Sequence, residues 1–220
     1  MAPGMKLFRL RYSPFARKVQ MLLDLLGLPH ELVEINYGER SELAQLTGGY
    51  IYVPVLLLDD GGVLVESRRI CEHLLRGPAA QQLVPSPLQG PIWAYADFCD
   101  GPLEDVLFRI ASPAIRAAWP TPWERALYNL TKERKFGAGC VDAWLREQTS
   151  LLERARHLLA PTLATLEQQP FLFGARPTLA DAALYGNLAM LSEADPALLR
   201  SLSPGLPAYQ GRVEAARPKR

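Results

Sequence analysis

The chain changes character at one place. From residue 77 to residue 91 the sequence turns to Pro, Ala and Gln, with Pro78, Pro85, Pro87 and Pro91 and no apolar periodicity. Such a stretch reads as a linker. Before it, short apolar runs alternate with helical patterns. Beyond it, every apolar pattern has helical spacing. The division predicts an α+β unit over residues 5–77, a linker over 78–90 and an all-helical unit over 91–218. A chain of 220 residues has ample core for this.

In the first unit the order is βαβα followed by ββα. Residues 6–10 form a short apolar strand pattern, and a helix starts directly after it. Ser13 stands as N-cap and Pro14 as the first helical residue, where a missing N–H costs nothing. Val19, Leu22, Leu23 and Leu26 recur at helical spacing until Gly27 and Pro29 stop the helix. A second strand is expected over 30–35, with Leu32 and Val33 near the core. A short helix over 41–46 closes on Gly48 and Gly49. The third strand, 50–58, contains Pro54, which demands an open N–H side or a cis bend. Residues 59–62 signal a hairpin turn, and residues 63–65 return as the antiparallel partner. Glu66 and Ser67 then open a helix over 68–76, with Ile70, Leu74 and Leu75 on one face.

The second unit reads as helices over 92–110, 123–136, 140–169, 178–191, 196–202 and 207–216. A break is expected at 114–122, and a kink or restart at Pro161. Gly137 and Gly139 fit a plain helix break, or a loop beside a pocket, in the segment 132–140. Thr178 with Asp181 three residues on makes a capping-box-like start, with Asp in place of Glu. Asp181 is thus expected to hold a buried helix end, with residues 171–174 packed before it.

Composition excludes several function classes. Hydrophobic residues at 49% and charged residues at 21% are ordinary for a soluble globular protein. A formal net charge of +1 points to no nucleic-acid partner, and the only basic run is the ending Arg217-Pro218-Lys219-Arg220. Cys71, Cys99 and Cys140 make no close pair and no metal spacing, so no metal and no redox dithiol is expected, in a reducing compartment. Residues 1–4 are too short for a secretion signal and no run reaches membrane-spanning length. A cytoplasmic protein with no membrane contact is the expectation.

A strand that delivers a hydroxyl to a helix N-terminus builds an anion site, because free N–H groups and the helix dipole point at one spot. Ser13 is placed for this, and equally for simple capping.

Taken in order, Ser13-Pro14-Phe15, Val53-Pro54-Val55-Leu56, Glu66-Ser67 and Gly174 with Thr178-Leu179-Ala180-Asp181 resemble the glutathione transferase superfamily, in its serine-type branch. The resemblance covers residues 6–218. It implies a thioredoxin-like N-terminal domain (βαβ-ββα) followed by an all-α C-terminal helical domain. It implies glutathione as co-substrate and no metal. Val53, before a cis Pro54, would pair its backbone with the peptide's cysteine as an added strand. Ser67 at a helix N-terminus would take the γ-glutamyl carboxylate, and Glu66 the ammonium. Ser13 would stabilise the thiolate, the nucleophilic form. Many relatives carry Lys or Gln just before the Val-Pro pair, where this chain has apolar and aromatic residues. Arg40, the only basic residue between Ile35 and Val53, is the candidate cation for the glycine carboxylate. Arg17 and Lys18, one turn into the first helix, would add positive potential or form a solvated face; the face is the expectation. Tyr95, Phe98, Trp119 and Trp123 are the aromatic candidates for an acceptor pocket between the domains.

The implied activity is attack of the glutathione thiol on a small electrophilic molecule, in detoxification, by a homodimer. The rival readings are a non-catalytic binding or assembly module on this fold, and a glutathione-dependent isomerase or dehalogenase. Residues 13–16 hold no cysteine, so dithiol exchange and mixed disulfides are unavailable at this helix.

Overall fold

A computed structural model of the chain describes residues 4–218, apart from the side chains of Pro78 and Ala79. Residues 1–3 of the N-terminal stretch and the last two residues of the basic ending lie outside the described residues. The first unit runs β1 (Met5–Arg9), α1 (Pro14–Leu25), β2 (His30–Glu34), α2 (Ser41–Thr47), β3 (Val55–Leu57), β4 (Val63–Val65) and α3 (Ser67–Leu74). The sheet order is β2-β1-β3-β4, with β1 and β2 parallel and the other pairs antiparallel. This is the thioredoxin-like arrangement expected. Alternation along β1 and β3 gives each sheet face its own layer. Leu7 and Leu56 join the main core, while Phe8 and Val55 pack with Leu43 of α2.

Two strands differ from the sequence expectation. Leu32 is exposed, because β2 is the edge strand and adjacent residues face opposite sides; Val33 packs against the Phe8 layer. The third strand begins only at Val55. Residues 50–53 approach it as a loop that ends in the cis Val53-Pro54 bond, and Ile51 and Tyr52 are exposed. Proline has no N–H for the ladder, so pairing with β1 starts after it.

After α3, residues 78–90 are not extended: two 3₁₀ turns, Pro78–Gln82 and Ser86–Leu88, lead into α4 (Gln89–Phe98). Leu83 is buried there, and its carbonyl accepts the Leu179 N–H at 3.0 Å. A π-helical turn, Cys99–Leu103, holds Pro102 and passes directly into α5 (Glu104–Ala118). The expected break at 114–122 therefore shrinks to residues 119–121, and Pro113 lies inside α5. Next come α6 (Pro122–Phe136), α7 (Cys140–Arg146), α8 (Gln148–Gln168), α9 (Leu179–Ala194), α10 (Pro196–Leu202) and α11 (Leu206–Ala215). The interruption expected at Pro161 falls instead at Glu147. Pro161 sits on the exposed side of α8, where solvent can satisfy the carbonyl its ring leaves unpaired.

The helical half is centred on α9, whose residues 179–191 are all buried. Its start is the capping box read from sequence. Asp181 Oδ2 accepts from the Thr178 N–H and hydroxyl, and Oδ1 from the Leu172 N–H and the Tyr209 hydroxyl, all at 2.8–2.9 Å. Four donors on one fully buried carboxylate fix α9, α11 and the turn at Leu172 together. The middle of α9 then packs against α1. Gly186 permits the approach: a Cβ there would stand 2.3 Å from the Pro14 carbonyl oxygen and 3.0 Å from the Lys18 nitrogen. Leu22, Ile70, Ile92, Leu107 and Leu184 belong to one apolar cluster that runs through both halves.

Candidate functional site

The sheet register decides what meets at one edge. Phe8 pairs with Val55, and Val55 with Val65, so the end of β1, the start of β3 and the end of β4 lie together. The residues next along the chain are Ser13, Val53-Pro54 and Glu66-Ser67. The fold thus brings five of the six predicted site residues to one end of the sheet.

Ser13 caps α1. Its Oγ accepts the Ala16 N–H at 3.3 Å, its carbonyl accepts the Arg17 N–H at 2.9 Å, and its own N–H bonds to the Leu10 carbonyl at 2.9 Å. The side chain is thereby held at the positive end of a twelve-residue helix. Val53 stands outside the ladder; among the described residues its backbone makes no hydrogen bond. Ser67 is buried at the first position of α3, and its hydroxyl has no partner among the described residues. Glu66 precedes it at φ 70°, the only non-glycine residue at positive φ among those described. Outliers of this kind collect where a ligand is held. The Tyr50 hydroxyl donates to Glu66 Oε1 at 2.9 Å, which orients the carboxylate. That tyrosine was not read from sequence, since the contact spans an apolar loop. Arg40 stands just ahead of α2, where Nε donates to the Tyr37 carbonyl at 3.1 Å and Nη1 to the Ile51 carbonyl at 2.8 Å. It ties the loop before Val53 to the second half of the βαβ unit, and its other N–H donors have no partner among the described residues.

The solvated face expected of Lys18 is overturned. Lys18 is buried and forms an ion pair with Asp100, in the π turn of the helical half. Its charge is neutralised across the domain seam. Arg17 is half-buried and donates to the Tyr185 hydroxyl at 3.4 Å. The spacing of Lys18 from Pro14 and Leu22 places it on the apolar stripe of α1, the signal that marks it as buried.

Aromatic residues line the seam beside Ser13. Tyr12 meets Trp119 edge-on at 5.8 Å between centroids, and Tyr37 lies 5.0 Å from Trp119 and 5.8 Å from Tyr128. Of the four aromatic candidates named from sequence, Trp119 is here. Tyr95 and Phe98 instead pack inside the helical half, where the Tyr95 hydroxyl bonds to Thr162, and Trp123 is exposed. Lys132 of α6 points into the same seam, its Nζ 4.7 Å from the Tyr128 centroid and 5.0 Å from that of Phe108. The helix break that follows is the glycine break expected: Gly137 and Gly139 have positive φ. Burial pulls the Lys132 ammonium down to about 8 and pushes the Glu104 carboxyl up to about 7.

Comparison with known proteins gives the family. Residues 7–81 match the family model of the glutathione S-transferase N-terminal domain, and residues 142–211 that of the C-terminal domain. Among curated proteins, glutathione S-transferase omega-1 of Rattus norvegicus is 30% identical over 80 residues, covering 36% of this chain and 33% of its own length. Glutathione S-transferase U3 of Arabidopsis thaliana is 38% identical over 73 residues, 32% of each. The chain thus matches about a third of the length of these relatives. The solved structure of a glutathione transferase from Phanerochaete chrysosporium superposes over 100% of both chains with TM-score 0.79 at 16% identity. One from Ceriporiopsis subvermispora, in complex with glutathione, superposes with TM-score 0.76 at 17% identity, covering 98% of this chain and 97% of its own.

Proposed function

The chain belongs to the glutathione transferase superfamily, and from that premise we propose that it binds reduced glutathione and ionises its thiol for attack on a small electrophile. The observation that carries the reading is the shared edge of Ser13, Val53-Pro54 and Glu66-Ser67. Each offers what one part of the peptide lacks. Val53 has a free backbone for an added strand. Ser67 and the unpaired N–H groups of the first turn of α3 suit the γ-glutamyl carboxylate. Glu66, oriented by Tyr50, suits the ammonium. Arg40 is the cation nearest the loop before Val53 and takes the glycine carboxylate.

Ser13 then acts on sulfur. Its lone pair is engaged by Ala16, which leaves the hydroxyl proton to donate to a thiolate. The helix end adds its partial positive charge. Attack forms the carbon–sulfur bond while the leaving group departs with its electron pair, and the thiol proton passes to solvent. The reading includes a homodimer. An open groove of ≈ 1040 Å³ between α3, the linker turns and the start of α4, lined by Arg68, Glu72 and Trp93, is the face offered for it.

Calorimetric titration with reduced glutathione tests the binding. Saturable heat that weakens about tenfold in Ser67→Ala, for the loss of one charge-assisted hydrogen bond, is the expected result. No heat with the unaltered protein would leave the non-catalytic module as the better reading.

A further inference from the structure

Helix α6 is held to the molecule by little. Pro120 and Pro122 stand at its entry, and Gly137 and Gly139 follow it, both at positive φ and with open space where a Cβ would stand. Of its fifteen residues only Tyr128 is buried, whereas residues 179–191 of α9 are buried without a break. At the glycine end Phe136 packs on Trp144 and Phe108, at 5.2 and 6.1 Å between centroids, and makes a pivot. Further along, the Tyr128 hydroxyl bonds to Ser112 of α5 at 2.9 Å. The Thr131 hydroxyl gives its proton to the Tyr128 carbonyl at 2.8 Å, so the Tyr37 hydroxyl donates to Thr131 Oγ1, at 2.5 Å. The Lys132 ammonium rests over Tyr128, Phe108 and Tyr37 at 4.7, 5.0 and 6.0 Å.

What lies beneath α6 is sealed but not satisfied. Tyr12, Tyr37, Trp119 and Tyr128 pack ring on ring, at 5.0–6.5 Å between neighbouring centroids. This closure leaves the Tyr12 hydroxyl and the Trp119 indole N–H buried without a partner among the described residues. Burial also strips water from the Lys132 charge. Water would satisfy all three groups. The contacts that hold α6 down are thus set against groups that are better hydrated, the balance a two-state element needs. We propose that α6 is a hinged lid over the seam beside Ser13, shut in this structure, with the glycine pair as its hinge and the Tyr37–Thr131 bond as its latch. That the lid controls approach to the sulfur rests on the reading that the glutathione thiol lies at Ser13; the hinge and the latch do not.

Two charges under the lid make its opening depend on pH. Lys132 is faced by Lys135 of its own helix, Glu104 of α5, Arg40, Tyr37, Tyr128 and Cys140. Glu104 is faced by Lys135 and Lys132 of α6 and by Asp105 and Asp100. Under the shut lid Lys132 releases its proton at about 8, below its hydrated value, so the open state binds that proton more tightly and alkaline solution favours the shut lid. Glu104 keeps its proton up to about 7, above its hydrated value, so the shut state binds that proton more tightly and acid also favours the shut lid. Opening is therefore greatest between about pH 7 and about pH 8.

Double electron–electron resonance on the full chain tests it, with spin labels on Ala126→Cys in α6 and Arg154→Cys in α8, both exposed positions. Cys140→Ser removes the thiol beside the hinge, and Cys71 and Cys99 are buried in the core. Near about pH 7.5 two distances are expected, that of the shut structure and a second one. Thr131→Val and Tyr37→Phe cut the latch from opposite sides. Each raises the ratio of the second distance to the first about tenfold, and the two together raise it no further. The same ratio falls toward about pH 5 and toward about pH 10. A single distance in all of these proteins, a ratio that neither latch variant moves, or a ratio flat across that pH range would overturn the proposal. The measurement uses no glutathione, so its failure leaves the proposed function standing, and a chain that binds no glutathione leaves the lid standing.

Discussion

The Ser13 hydroxyl has one proton and two lone pairs, and the cap of α1 uses one lone pair only. Ser13→Ala is therefore expected to lower kcat by about tenfold or more while KM for glutathione stays within about threefold, since the lost bond strengthens as the thiol ionises. The same change removes a helix cap worth about 1 kcal/mol, so rates are compared well below the unfolding transition. Steady-state kinetics with any accepted electrophile decides it; an unaltered kcat would remove Ser13 from the chemistry. Tyr50 acts through Glu66. Tyr50→Phe is expected to raise KM for glutathione about threefold with kcat preserved, the mark of a positioning residue. The two residues also show what was legible. Ser13 announced itself by Ser-Pro after a strand, a local signal of helix entry. The Tyr50–Glu66 bond and the Lys18–Asp100 pair did not, because their partners lie 16 and 82 residues apart along the chain.

At the scale of elements, the position of Ser13 depends on how closely α1 meets α9. Gly186→Ala forces backbone against backbone, since the Pro14 oxygen and Lys18 nitrogen would stand 2.3 and 3.0 Å from the new Cβ. Overpacking of this kind costs about 1–3 kcal/mol. Both a lower Tm and a lower kcat are expected, because the shift moves the N-terminus of α1. Gly211→Ala in α11, with nothing within 4 Å, is the control, and it should hold or gain up to about 1 kcal/mol. Thermal unfolding of the two variants separates the accounts; equal Tm values would show that the contact is not tight. Elements that end on local chemistry were readable: the Thr178–Asp181 box, the Gly48 and Gly137 stops, the hairpin at 59–62. Those set by packing were not. The passage from α4 through the π turn to α5 matches the single helix expected over 92–110; its extension past Pro113 to Ala118 was not expected, and follows from the buried face of Ile110, Ala111, Pro113 and Ile115.

For the whole molecule, the proline-rich stretch correctly marks where strands give way to helices. It does not mark a gap in the core. One apolar cluster crosses from Leu22 and Ile70 to Leu107 and Leu184, and the Lys18–Asp100 pair bridges the same seam. Cooperative unfolding as one unit is expected. Trp93, Trp119, Trp123 and Trp144 all lie in the helical half, so their fluorescence reports that half while far-ultraviolet circular dichroism reports both. Coincident urea transitions are predicted; separate ones would mean that the halves unfold independently. The central claim concerns the sulfur bound where this packing places Ser13. The most direct measurement is the ultraviolet thiolate absorbance of bound glutathione, titrated against pH in the unaltered protein and in Ser13→Ala. A bound thiol that ionises at least about one pH unit below the free one, with the gap largely lost in the variant, is the result predicted. Bound glutathione with an unshifted thiol, or a shift that survives Ser13→Ala, would contradict it.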